Sequence, residues 1–306
     1  MIVLENLLED IENRRKKVDE RLERTSLVGW LLNLFKTSIE EEANMHSCRL
    51  EQNFGKDYLK NGTYINEDFD KWYATLKKNG QLEDVDAAVD LAGTMDKEHQ
   101  GDEETIRMKE MKKAFKECYG NLNNAWKWGL SNLKQDFDEQ FIIEIAKRIE
   151  PGIVDNYRKS WVRPTGAPVT PPAPKKVPGE MKKLMINIEK ANEYIDEGKM
   201  NPTELAIMTH YHLARIHPFE DGNGRTSRLI QNLMLHKYGY PATIIHKGEK
   251  THYVQHLRKA DEEHRFREVN DNFLRNISEG EKDFYNYLAS RINTSIDLIL
   301  DKAYKK

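Results

Sequence analysis

Residues 217–228 read His-Pro-Phe-Glu-Asp-Gly-Asn-Gly-Arg-Thr-Ser-Arg, the richest concentration of reactive side-chain types in the chain. A base, a hard-metal ligand, a glycine-rich turn and two arginines are the parts needed to grip a polyphosphate and deprotonate a group beside it. His217, with an ordinary pKa of about 6.5, can be neutral and accept a proton near pH 7. Gly222 and Gly224 let the backbone approach a phosphate with no side chain in the way. A helix N-terminus after them would add unpaired N–H groups and a partial positive charge. The dipole alone contributes only about 0.3–1 kcal/mol. Arg225 and Arg228, at roughly 1.5–3 kcal/mol each through charged hydrogen bonds, make the site credible. Asp221 is acidic amid this positive charge, which makes sense if it holds Mg2+ against phosphate oxygens. A Walker-type phosphate loop is excluded, because there is no Gly-Lys-Ser/Thr and no preceding strand.

Two helices must position this loop. Asn201-Pro202-Thr203-Glu204 is a helix start, with Asn as N-cap, Pro at the first helical position and Glu completing a capping-box pair. Leu205, Met208, Leu213 and Ile216 then give that helix one buried side. After the glycines, Leu229, Ile230, Leu233 and Met234 recur at helical spacing until Gly239, a C-cap. Phe219 reads as a core anchor for the loop and Glu220 as solvated.

Helical patterning dominates the rest. Charge-rich helices with apolar spots such as Trp30, Leu31 and Leu34 fill residues 1–60, and turns fall at 61–63 and 78–80. A further loop falls at 98–103. An amphipathic helix over 137–149 stops at Pro151-Gly152, and another closes the chain over 292–304. Six of the ten prolines fall in 163–179, a linker on composition alone. Charged residues make up 32% and the net charge is −3, which gives no broad case for nucleic acid or membrane. Two cysteines, Cys48 and Cys118, are too few for a disulfide scaffold. The apolar stretch at 27–35 is too short to span a bilayer, and residues 1–23 are charged throughout, unlike a signal peptide. These features fit a cytoplasmic helical enzyme, and leave a homo-oligomer open.

The 217–228 string resembles the Fic-domain signature, His-x-Phe-x-acidic-Gly-Asn-Gly-Arg-x-x-Arg, at every fixed position. Pro218 and Gly239-Tyr240-Pro241 extend the likeness. The resemblance implies an all-α Fic core with a short β-hairpin flap and an N-terminal helical region. It divides the chain into 1–136, a core over 137–280 and a C-terminal helix over 281–306. The flap would occupy about 157–172, with Gly166, Ala167, Pro168 and Val169 offering an edge to an extended segment of a target protein. Tyr253 matches a tyrosine that lines the adenine pocket, although a half-buried helix aromatic is an equal reading. Asp261 stands where relatives often have Asn.

Many Fic proteins also carry an inhibitory helix, Ser/Thr-x-x-x-Glu-Gly/Asn. Residues 47–53, Ser-Cys-Arg-Leu-Glu-Gln-Asn, fit it with Gln52 in the unusual place. Ser47 and Glu51 are one turn apart and share a helix face. Ser38 with Glu42, and Thr37 with Glu41, satisfy only the first half of the pattern.

The resemblance implies transfer of AMP from ATP, with Mg2+, to a Ser, Thr or Tyr hydroxyl of a target protein. His217 would be the base and Asp221 the metal ligand. Gly222, Asn223 and Gly224 would cradle the α- and β-phosphates, Arg225 would support the β-phosphate, and Arg228 would take the γ-phosphate unless Glu51 occupied it. Kinase-like relatives carry Lys where Gly224 stands. Another nucleotidyl or phosphoryl transfer remains open, as does a silent, autoinhibited nucleotide-binding module.

Overall fold

The computed structural model describes residues 5–24, 26–51, 103–134, 137–162, 171–266, 272–274 and 277–304. Chain contacts group Met1–Glu51 with Asn121–Lys306 as one compact unit and Gln52–Gly120 as another. The described residues form nine α-helices, α1 (Glu5–Arg24), α2 (Ser26–Glu51), α3 (Glu103–Ser131), α4 (Glu139–Ile149), α5 (Val177–Asp196), α6 (Pro202–Ile216), α7 (Asn223–Lys237), α8 (Lys250–Phe266) and α9 (Glu279–Tyr304), and two short 3-10 turns, Pro174–Lys176 and Lys247–Glu249. In the second unit, Phe115 and Tyr119 of α3 stack with ring centroids 6.0 Å apart. The described residues contain no strand, so the fold is all-helical there. The segments 157–162 and 171–172, at the ends of the expected flap, are not strands. Gly166, Ala167, Pro168 and Val169 lie outside the described residues. No described helix is long and apolar enough to cross a membrane.

The pair α6–α7 forms the heart of the larger unit. The capping box at the start of α6 is present: the Asn201 side chain accepts from the Thr203 N–H at 2.8 Å, and Glu204 accepts from the Asn201 N–H at 3.3 Å. At the far end of α7, Gly239 adopts φ 83°, and the Tyr240 N–H reaches back to the Leu235 carbonyl at 2.9 Å. That is a Schellman closure with glycine one position past the cap.

Both helices are buried almost all round, so the expectation of one buried side for α6 is corrected. Thr209, His210 and His212 of α6 are each 0% exposed, beside apolar Ile207, Met208 and Tyr211. Gln231 and Asn232 of α7 are buried as well. Polar residue type misleads here because His210 bonds Gln231, Gln231 and Asn232 bond Thr243, and the His212 ring stacks on Phe273 at 3.8 Å.

Around the pair, α4 packs on α7, α5 on α6, and α8, α9, α1 and α2 continue the bundle. Helix α4 begins at Asp138, whose carboxylate accepts the Phe141 N–H at 2.7 Å, and buries Phe141, Ile142, Ile145 and Ile149. Helix α9 begins at Glu279, well before the amphipathic stretch expected at 292–304 but within two residues of the C-terminal helix expected from 281. Its start is fixed by a reciprocal pair: the Ser278 N–H bonds Glu281 at 2.9 Å and the Glu281 N–H bonds Ser278 Oγ at 3.1 Å. Gly280 lets α9 approach α8, since a Cβ there would lie 2.9 Å from the Lys259 carbonyl group.

Candidate active site

The motif loop connects the end of α6 to the start of α7. His217 is the C-cap of α6, and its N–H bonds the Leu213 carbonyl at 3.0 Å. Its backbone sits at φ 51°, ψ 60°, the left-handed region that costs a non-glycine residue roughly 1–3 kcal/mol. Buried Arg158 holds it there. Arg158 Nε donates to the His217 carbonyl at 2.7 Å, and the Arg158 backbone N–H donates to the Pro218 carbonyl at 2.9 Å. Nη1 and Nη2 donate to the carbonyls of Ser160 and Pro172. The His217 ring has Nδ1 3.2 Å from the Ala214 carbonyl oxygen. A carbonyl can only accept, so Nδ1 carries the proton of the neutral ring and Nε2 is its basic nitrogen.

Phe219 is fully buried, as a loop anchor must be. Asn223 locks the turn: its Oδ1 accepts the Phe219 N–H at 2.8 Å and its Nδ2 donates to the Phe219 carbonyl at 2.9 Å. Its side chain is therefore a brace for the loop. Glu220 is exposed, yet it is not merely solvated. Its carboxylate accepts the N–H groups of Lys159 and Ser160, at 3.0 and 3.4 Å, and the Ser160 hydroxyl. These bonds draw its pKa below the ordinary carboxylate value.

Gly222 is the N-cap of α7 at φ 73°. A Cβ here would lie 2.8 Å from Glu150 Cγ and 3.1 Å from Ile149 Cγ2. Gly222→Ala is thus expected to destabilise the protein by at least roughly 1–2 kcal/mol from the backbone alone, read as a lowered thermal midpoint. Unchanged stability and activity in this variant would contradict the tight fit of loop on α4.

Arg225 pairs with Glu150, both side chains nearly buried, and lies 3.7 Å from an Asp221 carboxylate oxygen. Asp221 itself is 64% exposed in its side chain. Its Oδ1 accepts the Gly222 N–H at 2.6 Å, so the carboxylate is held at the mouth of the α7 N-terminus.

Arg228, 6% exposed, lies one turn deeper in α7. Its Nε donates to Ser47 Oγ at 2.8 Å and its Nη2 to the Ser47 carbonyl at 3.2 Å, linking residues 181 apart in sequence. Glu51 is the last residue of α2, and its side chain lies outside the described residues. The guanidinium carbon of Arg228 is 6.0 Å from the centre of the Tyr253 ring.

Tyr253 is buried rather than half-buried, at 5% exposure. Its hydroxyl and His210 Nε2 are 2.8 Å apart, His210 Nδ1 reaches Gln231 Oε1, and Gln231 Nε2 donates to Thr243 Oγ1 at 2.9 Å. Burial first, and then the nearby Arg228 charge, push the His210 pKa down to about 3. His210 is therefore a neutral relay that fixes Tyr253 below Arg228.

The structure thus brings His217, Asp221, Gly222, Asn223, Gly224, Arg225, Arg228, Tyr253 and Ser47 into one region. Glu150 and Arg158 are additions that the sequence did not reveal. Arg158 acts on a carbonyl 59 residues away, and neither residue belongs to a local pattern.

Residues 136–235 match the family model described as Fic/DOC family. Curated relatives named protein adenylyltransferase Fic include one from Drosophila ananassae, 35% identical over 133 residues, covering 42% of this chain and 26% of that protein. Another, from Aedes aegypti, is 38% identical over 125 residues, covering 40% of this chain and 24% of that protein. The chain thus spans about a quarter of the length of these relatives. A Fic domain-containing signaling protein from Bacteroides thetaiotaomicron is similar in structure over 97% of each chain, with a TM-score of 0.65 and 25% identity. A Fic family protein from Desulfovibrio desulfuricans shares the fold over 97% of this chain and 74% of its own, at TM-score 0.60 and 18% identity. The signature is complete within this matched stretch and its loop is folded between α6 and α7, so residues 136–235 are what this chain shares with the Fic/DOC family model.

Proposed function

We propose that this protein is an adenylyltransferase that moves AMP from ATP to a Ser, Thr or Tyr hydroxyl of another protein, and that α2 restrains it. One observation carries the reading. His217 has its basic nitrogen defined by the Ala214 contact, and it is held by Arg158 directly before the glycine-bearing N-terminus of α7.

In this reaction the target hydroxyl oxygen attacks the α-phosphorus in line. The bond from the α-phosphorus to the bridging oxygen breaks, pyrophosphate leaves, and the hydroxyl proton passes to His217 Nε2. The N–H groups at the start of α7 bind phosphate oxygens, with Gly222 supplying the left-handed turn that presents them and Gly224 leaving the backbone bare beside them. Arg228 binds the γ-phosphate. Arg225 supports the β-phosphate while Glu150 fixes its guanidinium from the other side. Tyr253 forms a wall of the nucleotide pocket, steadied by His210. Catalysis is mostly positioning and charge stabilisation.

The donor set at the loop fits Mg2+: a single exposed carboxylate beside the phosphate site is how this ion is usually held, with phosphates and waters completing the shell. Asp221 would hold it, and the ion would neutralise charge on the phosphates. Activity should therefore require a divalent cation and fall at least roughly a hundredfold in Asp221→Ala at saturating ATP. Metal-independent transfer by the wild type would remove this role.

The flap and its proposed edge at Gly166, Ala167, Pro168 and Val169 remain the place for the target chain, in keeping with strand pairing. Gly224, where kinase-like relatives have Lys, favours nucleotidyl transfer over phosphoryl transfer. The hold of Ser47 on Arg228 favours a restrained enzyme, and the same contact supports Ser47 and Glu51 as the inhibitory pair rather than the registers starting at Thr37 or Ser38.

A further inference from the structure

A cluster of metal-binding side chains lies outside the active site. Glu42 and His46 stand one turn apart on α2 and so project from one face. His246 comes from the segment before the short 3-10 turn Lys247–Glu249 that leads into α8. One ligand atom from each of the three falls within 4.8 Å of the others. His46 Nε2 is 3.2 Å from His246 Nδ1 and 3.8 Å from Glu42 Oε1. Four-coordinate Zn2+, with bonds of about 2.0–2.2 Å to nitrogen and oxygen, places neighbouring ligand atoms about 3.3 Å apart. The two separations at His46 Nε2 bracket that value, and the Glu42–His246 pair, within 4.8 Å, would close toward it on binding. A proton can bridge the two rings, but at 3.8 Å Glu42 is beyond hydrogen-bond reach of the same nitrogen. A shared cation would engage all three at once.

We propose that Glu42, His46 and His246 bind one Zn2+ ion, with water in the fourth position, clasping α2 to the segment that opens α8. Two imidazoles and a carboxylate are a donor set suited to zinc and unlike the all-oxygen shell of Mg2+. On binding, His46 takes its Nδ1–H tautomer so that Nε2 faces the ion, and gives up the long 3.3 Å contact with the Lys247 N–H. The Glu249 N–H keeps its 2.9 Å bond to the His246 carbonyl. Glu249 also accepts from the His246 backbone N–H and from Arg291, which holds the segment in place. The site is independent of the catalytic reading, since none of its ligands is in the 217–228 loop.

The test uses the full chain, stripped with chelator and titrated with Co2+ as a visible-absorbing probe, then back-titrated with Zn2+. Wild type should bind one equivalent with the strong absorption of a tetrahedral site, and Zn2+ should displace it. Asp221→Ala should bind equally, which separates this site from the loop carboxylate. His46→Gln and His246→Gln should each weaken binding roughly a hundredfold or more, since losing even an outer-shell partner costs 10- to 100-fold. Their helical circular dichroism should match wild type. A Zn2+-dependent rise in the thermal midpoint should appear in wild type and vanish in both variants. Absence of stoichiometric binding in wild type, or binding unaltered in folded His246→Gln, would overturn the proposal.

Discussion

Replacing His217 with alanine is expected to lower AMP transfer at least roughly a hundredfold, and up to about ten-thousandfold, the range for a positioned general base. ATP affinity should hold within a few-fold. The two effects separate because the groups separate. In the proposed reaction the proton acceptor is the ring nitrogen opposite the Ala214 contact, whereas phosphate binding would fall to Arg228 and the backbone at Gly222, Asn223 and Gly224. Intact-mass analysis of automodification, with nucleotide binding by calorimetry, checks both halves. Wild-type transfer by the variant would remove His217 from the chemistry. Lost nucleotide binding would mean that the residue chiefly shapes the loop, which its left-handed backbone could explain.

The second large effect runs the other way. Glu51→Gly is expected to raise automodification about 10- to 100-fold over wild type, because positional errors near 1 Å can cost about a hundredfold in rate. Arg228 is held from the α2 side through Ser47, by hydroxyl and by carbonyl. Glu51 lies one turn further along the same helix. A carboxylate on this face would compete with the γ-phosphate for the guanidinium and misalign the α-phosphate. Ser47→Ala should activate more weakly, since the carbonyl contact to Arg228 survives that change. Activation by Glu41→Gly or Glu42→Gly instead would move the inhibitory register. No activation by any of the three would place the restraint elsewhere.

Much of the site was legible because its residues are neighbours in sequence. The loop at 217–228, the cap at Asn201 and the glycine after α7 obey local rules, and the structure realises each as a short-range hydrogen-bond pattern. Ser47 was legible through the resemblance, and its meeting with Arg228 joins it to the site. Glu150 and Arg158 were not legible. Glu150 reads as the end of a helix before Pro151-Gly152, and nothing local says that its carboxylate meets Arg225. Arg158 fell within the expected flap and drew no reading of its own, yet it is 3% exposed and makes four hydrogen bonds through its guanidinium and backbone N–H. The pair His46 and His246 lies 200 residues apart and had no signal in the chain.

Two misreadings were avoidable. Ser278-Glu279-Gly280-Glu281 is a capping box in plain sequence, and it starts α9. It is overlooked when Gly280 is read as a boundary rather than as the close-approach residue it is. The one buried side expected of α6 gave no place to His210 and His212, which lie inside a helix buried almost all round. Hydrophobic periodicity fails where polar side chains satisfy one another, as along the chain from Tyr253 through His210 and Gln231 to Thr243.

Which bond of ATP breaks decides the central claim. Purified Glu51→Gly protein, given ATP labelled at the α-phosphate in one reaction and at the γ-phosphate in another, should become labelled only in the first. Its mass should rise by one adenylyl group, with pyrophosphate released. Label entering from the γ-phosphate, with ADP as the product, would contradict the account and make Gly224 no guide to the transferred group.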